Sequence, residues 1–154
     1  MSDRKKLAPS SPARNSLRDL HVLVVDDQED ARDLMAVVLE GAGATVTLAE
    51  SASVALRAVT EKEFGILVSD IGMPEQDGYD LIRRLRTGDG PARSRRIPAV
   101  AVTAFSAPDD RRKALEAGFQ EHLPKPVDLI KLVDVVARLA AERDLGGGSG
   151  TPNQ

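Results

Sequence analysis

The sequence predicts an α/β fold, a parallel five-stranded sheet with helices packed on both faces. Two observations lead to it. Short apolar runs, typical of strands buried on both faces, alternate five times with longer segments whose apolar residues recur at helical spacing. A helix between two consecutive strands favours parallel pairing through right-handed crossovers, which distributes the helices over both faces. The expected architecture is therefore a doubly wound (βα)5 sandwich.

Five runs of residues supply the strands. The first is the continuous apolar run at 21–25, and the second, at 45–48, alternates like a strand with one face in water. The third, fourth and fifth strands are expected at 66–68, 99–102 and 119–123. The alternating second run is therefore expected at an edge of the sheet.

The segments between the runs each carry one apolar stripe. Gly41 and Gly43 close the first helix, Ser51 is a suitable N-cap for the second, and Pro108 followed by Asp109 marks the start of the fourth. The residues expected to face the core are, in helix order, Ala31, Leu34, Met35, Val38 and Leu39; Ala52, Ala55, Leu56 and Val59; Tyr79, Ile82 and Leu85; Ala114, Leu115 and Ala117; and Leu129, Leu132, Val133, Val136 and Leu139.

The chain is long enough for one compact domain with short tails. Residues 1–18 are polar and are expected to form a flexible N-terminal segment, residues 19–143 the domain, and residues 144–154, rich in glycine, a flexible tail. The start lacks the apolar centre of a secretory signal, and no run approaches the ~18 apolar residues that cross a bilayer. We expect a soluble, cytoplasmic protein.

Composition excludes several kinds of site and partner. The chain has no cysteine, which rules out disulfides, thiol catalysis and cysteine-bound zinc, and it has only two histidines. The net charge of -3, from 21 basic and 24 acidic residues, gives no general attraction to nucleic acid or to a membrane. Neither kind of partner is expected.

Polar residues follow four of the runs at the point where each strand should end. Asp26 and Asp27 follow the first strand, Asp70 the third, Thr103 the fourth and Lys125 the fifth. The carboxyl ends of parallel strands meet at one edge of the sheet, where ligands gather in folds of this kind. Three acids, a hydroxyl and an amine are therefore expected to converge there.

Three carboxylates in one place require a cation. Two like charges ~4 Å apart repel by about 4 kcal/mol at an effective dielectric near 20, so a divalent ion that prefers oxygen, such as Mg²⁺, is the natural candidate. The alternative is that Asp26 and Asp27 only cap the first helix and favour its dipole. One aspartate would be enough for a cap, and Asp70 would have no part in it.

The chemistry that suits this set is phosphoryl transfer to Asp70. A carboxylate can attack a phosphoryl group and hold it as an acyl phosphate, provided that positive charge and hydrogen bonds surround the phosphoryl oxygens. Mg²⁺, the Thr103 hydroxyl and the Lys125 ammonium would supply them. The alternatives are a threonine that satisfies its own backbone and a solvated surface lysine, although Pro126 restricts the backbone of that lysine.

Four motifs in this order resemble the receiver domain of two-component response regulators, the CheY-like superfamily, from Leu20 to about Leu139. They are Val24-Val25-Asp26-Asp27, Ser69-Asp70-Ile71-Gly72-Met73-Pro74 with Asp77-Gly78, Val102-Thr103-Ala104, and Lys125-Pro126. The resemblance implies a flavodoxin-like (βα)5 fold with strand order 2-1-3-4-5. It also implies transfer of phosphate from a histidine kinase or a histidine phosphotransfer protein onto Asp70, with no enzymatic activity beyond the chain's own phosphorylation and dephosphorylation.

The resemblance assigns further roles within the site. Asp27, Asp70 and the backbone carbonyl of Gly72 would bind Mg²⁺, and Asp26 would act through water. The peptide bond between Lys125 and Pro126 would be cis, which X-Pro bonds adopt at modest cost.

The resemblance also implies a switch. Thr103 would be drawn toward phosphorylated Asp70, altering a face for a downstream protein that the fourth helix, fifth strand and fifth helix form. His122 occupies the switch position three residues before Lys125, where tyrosine or phenylalanine is common, and it is either a switch or an ordinary strand histidine. Phe105 either shields the acyl phosphate from water or packs against the next helix.

Other interpretations stay open. A phosphatase of the haloacid dehalogenase type also uses an aspartate nucleophile and Mg²⁺, but its second acid would stand at Gly72. A flavin-binding module would need a phosphate loop where Asp26 and Asp27 lie. Within the receiver interpretation, the chain is either a free-standing regulator or the receiver portion of a hybrid histidine kinase, which residues 69–86 resemble.

One local excess of basic residues has no assigned role. It is either a solvated helix end and loop or a docking surface for an acidic partner. The residues are Arg83, Arg84, Arg86, Arg93, Arg95 and Arg96.

Overall fold

The computed structural model describes residues 16–72, 78–88, 90–104 and 108–149, and within them five strands alternate with five helices. A 3-10 turn between the third helix and the fourth strand covers Ala92–Ser94. In chain order the elements are β1 (His21–Val25), α1 (Glu29–Gly41), β2 (Thr45–Ala49), α2 (Ala52–Glu61), β3 (Ile66–Asp70), α3 (Gly78–Thr87), β4 (Ala99–Thr103), α4 (Pro108–Ala117), β5 (Glu121–Pro124) and α5 (Leu129–Ser149).

The five strands are parallel and lie in the order β2-β1-β3-β4-β5. This order confirms the predicted fold class and places β2 at an edge, as expected. The register pairs Val25 with Ser69 and Asp70 with Val102, so the three central strands end at a common level. The predicted site residues lie at or just after the carboxyl ends of the strands, along this edge.

Two hydrophobic layers enclose the sheet. On one face α2, α3 and α4 cover side chains such as Leu23, Leu67 and Ala101, and on the other α1 and α5 cover Val24 and Val100. Successive residues of a strand therefore enter opposite layers, and β3 and β4 are buried at every position. Burial from both sides fixes where the carboxyl ends of the central strands lie.

Two of the leucines predicted to face the core are exposed instead. Leu34 of α1 is 52% exposed and Leu115 of α4 is 39% exposed, whereas the neighbouring Met35 and Ala114 are buried. One position along a helix rotates a side chain by about 100° around the axis. That rotation is enough to move a side chain from the core to solvent, and the apolar spacing alone did not fix which residue of each pair is inside.

The helix starts can be compared with the predicted caps. The Ser51 hydroxyl oxygen accepts the amide of Val54, as expected for an N-cap, and α4 begins at Pro108. The N-cap of α1 is Gln28, which makes no side-chain capping bond. None of the described helices combines the length and the apolar character that crossing a membrane requires.

The described elements extend beyond the predicted limits of 19–143. Leu17 is buried, and its amide donates to the carbonyl of Ala42, so packing begins inside the segment expected to be flexible. α5 continues to Ser149 through the glycine-rich stretch, because extending a helix costs less than starting one. The expectations for residues 1–15 and 150–154 lie outside the described residues.

Candidate functional site

The carboxyl edge of the sheet brings the predicted polar residues to one region. Asp26 comes directly after β1, Asp70 is the last residue of β3, and Thr103 is the last residue of β4. Asp27 and Lys125 lie in the turns that follow β1 and β5. Their proximity follows from parallel pairing, since the residues are far apart in the chain.

The three acids form a compact cluster. One carboxylate oxygen of each of Asp26, Asp27 and Asp70 lies within 4.8 Å of the others. Asp26 is fully buried, Asp70 is 5% exposed, and Asp27 is exposed. Two of the three acids are thus buried, and the cluster is accessible to solvent at Asp27.

Lys125 joins the two buried acids. Its ammonium lies 3.0 Å from Asp26 Oδ2 and 3.5 Å from Asp70 Oδ2. The backbone positions the lysine, because its amide donates to the carbonyl of Thr103 over 2.8 Å. The Lys125–Pro126 bond is cis, as the resemblance implied. Lys125 is therefore a part of the acidic cluster, and the interpretation as a solvated surface lysine is wrong.

Backbone amides orient the same two acids through their other oxygens. The Gln28 amide donates to Asp26 Oδ1 over 2.9 Å, and the Gly72 amide donates to Asp70 Oδ1 over 3.0 Å. The bond to Asp26 comes from the N-cap residue itself, which precedes the first turn of α1. Asp26 therefore shapes the turn before the helix, and its second oxygen faces Lys125.

Burial and charge shift the ionisation of two groups. Burial raises the pKa of the Asp70 carboxyl, the Gly72 amide opposes the rise, and the charge of Asp26 adds to it. Burial alone would lower the pKa of Lys125, but the hydrogen bond to Asp26 and the charge of Asp70 outweigh it, and the net shift is upward. The cluster therefore favours the charged form of Lys125 and disfavours the ionised form of Asp70.

The donor set fits a hard divalent cation. Three carboxylates face a single ammonium among the described residues of the cluster, so negative charge exceeds positive charge and only oxygen ligands are offered. Mg²⁺ binds through one or two carboxylates and keeps several waters, which suits the solvent-exposed Asp27 beside the buried Asp70. The structure describes Gly72 as a donor through its amide, and metal binding by its carbonyl stays a prediction.

The remaining predicted residues have different outcomes. Thr103 is fully buried at the end of β4. His122 lies on β5, opposite Ala101, and its Nε2 is buried without a hydrogen-bond partner in the described part of the chain. Phe105 lies outside the described residues, so its role stays a prediction.

Arg32 was not named in the sequence analysis, and Gly78 was named only as part of a motif, without a role at the site. Arg32 Nη1 donates to the carbonyl of Asp26 over 2.9 Å, which ties α1 to the end of β1. Gly78 begins α3 against the end of β3, and a Cβ there would lie 2.5 Å from the carbonyl oxygen of Asp70. The signals were available, an arginine within the first helix and a glycine where a helix starts, but each is common elsewhere.

The comparisons with known proteins agree on one family. The response regulator receiver domain family matches residues 22–137 of the chain. A protein of Leptolyngbya boryana, described as an uncharacterized 14.6 kDa protein in the sodA1 3' region, is 42% identical over 121 residues, which are 79% of this chain and 90% of that protein. The match therefore spans nearly the whole of a relative of similar size.

Larger relatives match this chain over only a part of their own length. The sensor histidine kinase AtsR of Burkholderia thailandensis is 32% identical over 136 residues, which are 86% of this chain but only 22% of that protein. Among solved structures, a putative response regulator from Chloroflexus aurantiacus has a TM-score of 0.74 at 30% identity, covering 79% of this chain and 98% of that one. The strand order, the acidic cluster and these matches lead to one conclusion: the chain belongs to the receiver domain family of two-component systems.

Proposed function

We propose that Asp70 accepts a phosphoryl group from a phosphohistidine presented by a histidine kinase or a histidine phosphotransfer protein. The observation that carries the proposal is the position of Asp70, whose carboxylate shares a 4.8 Å cluster with Asp26 and Asp27 and lies 3.5 Å from Lys125. In the transfer the P–N bond of the donor breaks while a P–O bond forms to a carboxylate oxygen of Asp70.

The neighbours of Asp70 divide the work of the transfer. The Gly72 amide engages Oδ1 and fixes the orientation of the carboxylate. The Lys125 ammonium lies beside Oδ2, where it can donate to an oxygen of the incoming group. Asp26, Asp27 and Asp70 would hold Mg²⁺, with Asp26 acting through water and the Gly72 carbonyl as a further ligand. When bound, the ion would neutralise charge that develops on the phosphoryl oxygens.

The output would be a change in a protein-binding face. Thr103 ends β4 on the side of the sheet that α4 covers, and His122 lies on the same side of the neighbouring strand. A buried Nε2 without a partner is unusual, and a movement of the β4–α4 connection that supplied an acceptor or donor would relieve it. His122 and Thr103 are thus proposed to switch the face formed by α4, β5 and α5.

The context of the domain is part of the proposal. The AtsR comparison favours a receiver that works within a hybrid kinase, and the relative of similar size favours a free-standing regulator. In either context the donor is a protein-bound phosphohistidine, the cofactor is Mg²⁺ and the compartment is the cytoplasm. The domain is not an enzyme for external substrates, apart from promoting its own phosphorylation and dephosphorylation.

The proposal is tested by phosphoryl labelling with acetyl phosphate and Mg²⁺, followed by intact mass. The wild type should gain one phosphoryl group that hydroxylamine removes, and Asp70→Asn should gain none, because an amide oxygen cannot form the acyl phosphate. Asp33→Asn, an exposed acid on α1, is the matched control and should be labelled normally. Normal labelling of Asp70→Asn would remove Asp70 from its role, and steady hydrolysis of a small phosphate ester would favour the phosphatase.

A further inference from the structure

Arg86, in the last turn of α3, is half-buried, and its guanidinium donates to backbone carbonyls. Its Nε and Nη2 donate to the carbonyl of Gly118 over 3.1 and 2.7 Å, and its Nη1 donates to the carbonyl of Arg95 over 2.9 Å. Nη2 also lies 3.4 Å from the side-chain oxygen of Gln120. This one guanidinium therefore joins α3, the loop before β4 and the turn after α4.

The contacts of Arg86 are with neutral oxygens. No carboxylate of the described residues forms an ion pair with it, and burial lowers the pKa of its guanidinium. An arginine fully exposed to water at a helix end would not have its pKa lowered by burial. The fork of donors suits two carbonyls at fixed angles, a geometry that a lysine cannot reproduce.

The turn that receives Arg86 is built for close approach. Gly118 has φ +127°, and a Cβ at this position would lie 3.0 Å from Arg86 Cγ. The Gly118 amide donates back to the carbonyls of Ala114 and Leu115, which ends α4. The next residue but one, Gln120, accepts the amide of Ala99 through its side chain over 2.7 Å, so the same turn is also fastened to the start of β4.

The rest of α4 is held much less firmly. Ala114 and Ala117 are its buried apolar residues in the described part of the helix, and both are small. Arg112 pairs with Asp109 and Glu116 on the exposed side, where ion pairs contribute little. The helix is thus strongly fastened at its carboxyl end and weakly along the remainder, which begins at Pro108, after Thr103 in the chain.

We propose that Arg86 is the pivot of α4: it fixes the carboxyl end of the helix so that a displacement started at Thr103 tilts the amino-terminal part instead of shifting the whole helix. The inference rests on the proposed function for the origin of that displacement. Without the Arg86 contacts, the domain would still accept the phosphoryl group, but the displacement of α4 would extend into the turn between α4 and β5. Arg86 is in this sense a positioning residue, remote from the reacting atoms.

The test is hydrogen exchange of peptides from residues 108–124, with and without beryllofluoride and Mg²⁺ as a phosphoryl mimic. In the wild type, the beryllofluoride-dependent change should be confined to the first turns of α4. In Arg86→Gln, amides at residues 114–120 should exchange about tenfold faster or more, because hydrogen bonds from a charged group are lost. The beryllofluoride-dependent change should then extend to those residues.

Matched variants separate this role from general stabilisation. Arg83→Gln removes an exposed arginine three residues earlier on α3 that lies over the Tyr79 ring, and it should leave exchange at residues 114–120 as in the wild type. Arg86→Lys keeps the charge but not the forked set of donors, so its exchange rate at residues 114–120 should lie between those of the wild type and Arg86→Gln. This variant also tests the proposal if Arg86→Gln does not fold. Phosphoryl labelling by acetyl phosphate should stay within about twofold of the wild type, since the contacts to Asp70 are untouched.

Two results would overturn the pivot. One is wild-type exchange at residues 114–120 in both Arg86 variants, and the other is a beryllofluoride response that already runs evenly through α4 in the wild type. Failure of the proposed function has a different signature, absence of phosphoryl labelling at Asp70 in the wild type. The comparison of Arg86 variants in the absence of beryllofluoride still decides whether Arg86 fixes the carboxyl end of α4.

Discussion

Lys125 makes two unequal contacts in the acidic cluster. Its ammonium is closer to Asp26, at 3.0 Å, than to Asp70, at 3.5 Å, and Asp26 is the acid that water cannot reach. The shorter contact offsets the desolvation of that buried carboxylate. The longer contact leaves Asp70 the less engaged of the two acids, which suits the nucleophile that we propose it to be.

His21 is expected to make the stability of the domain depend on pH below about 6.5. It lies at the opposite end of β1 from the acidic cluster, with its Nε2 2.8 Å from the Thr47 hydroxyl and its ring 4.6 Å from that of Phe64. Burial lowers the pKa of His21, and the charge of Lys62 lowers it further. Between that lowered pKa and the unfolded value of about 6.5, the unfolded chain binds more protons, so stability falls as pH falls.

Urea unfolding at pH 7.5 and pH 5.5 checks this expectation. The wild type should lose stability on acidification by a margin that His21→Gln lacks, because the variant cannot bind the proton at this position. Lys62→Gln should show a smaller loss than the wild type, since the second cause of the shift is gone. An identical pH dependence in the wild type and in His21→Gln would contradict the assignment.

At the scale of elements, the contact between β3 and α3 determines where Asp70 stands. Gly78 begins α3, and a Cβ at this position would lie 2.5 Å from the Asp70 carbonyl oxygen and 2.8 Å from Ile71 Cα. Both atoms belong to the backbone and cannot rotate away. The start of the helix and the end of the strand must therefore separate if any side chain is added.

Gly78→Ala is expected to destabilise the domain by about 2 kcal/mol, within the range for overpacking a fitted contact. It should also slow labelling of Asp70, because the carboxylate moves with the strand end. Gly41→Ala is the matched control: nothing lies within 4 Å of a Cβ at the end of α1, and alanine should stabilise the helix by up to about 1 kcal/mol. Urea unfolding and labelling measure both effects, and equal stability of the two variants would refute the close contact.

At the scale of the whole molecule, the parts that were predictable from sequence share a physical origin. Continuous apolar runs separated by helices leave few topologies, and parallel strands place their final residues at one edge. The convergence of Asp26, Asp27, Asp70 and Lys125 follows from those two rules. The order of the strands came with the family resemblance and is confirmed by the pairing.

The parts that were not predictable depend on tertiary partners. An apolar stripe allowed both Leu34 and Met35 of α1 to face the core, and only packing against the sheet selected the second. Six arginines in one stretch looked alike in sequence, yet Arg86 alone among those described reaches Gly118, 32 residues away. Leu17 was assigned to a polar tail because its neighbours are polar, although its side chain is buried and its backbone bonds to Ala42 and Leu20.

The excess of negative charge at one edge is expected to make the stability of the whole domain depend on a divalent cation. Asp70 is ionised at a cost, and Asp27 adds charge to the same cluster. An ion that binds only the folded state stabilises it by RT ln(1 + [L]/Kd), about 2.7 kcal/mol at one hundred times the dissociation constant. Mg²⁺ should therefore raise the thermal midpoint of the wild type, and EDTA should reverse the rise.

Asp27→Asn and Asp70→Asn should lose most of this Mg²⁺-dependent rise. In EDTA, Asp70→Asn should be the more stable protein by about 1 kcal/mol, because a buried carboxylate that repels its neighbours becomes neutral. Asp134→Asn, at an exposed position of α5, should keep the full Mg²⁺ response of the wild type. Thermal unfolding with Mg²⁺, with Ca²⁺ and with EDTA separates these cases. An equal response in Asp27→Asn and Asp134→Asn would mean that the ion binds elsewhere on the surface.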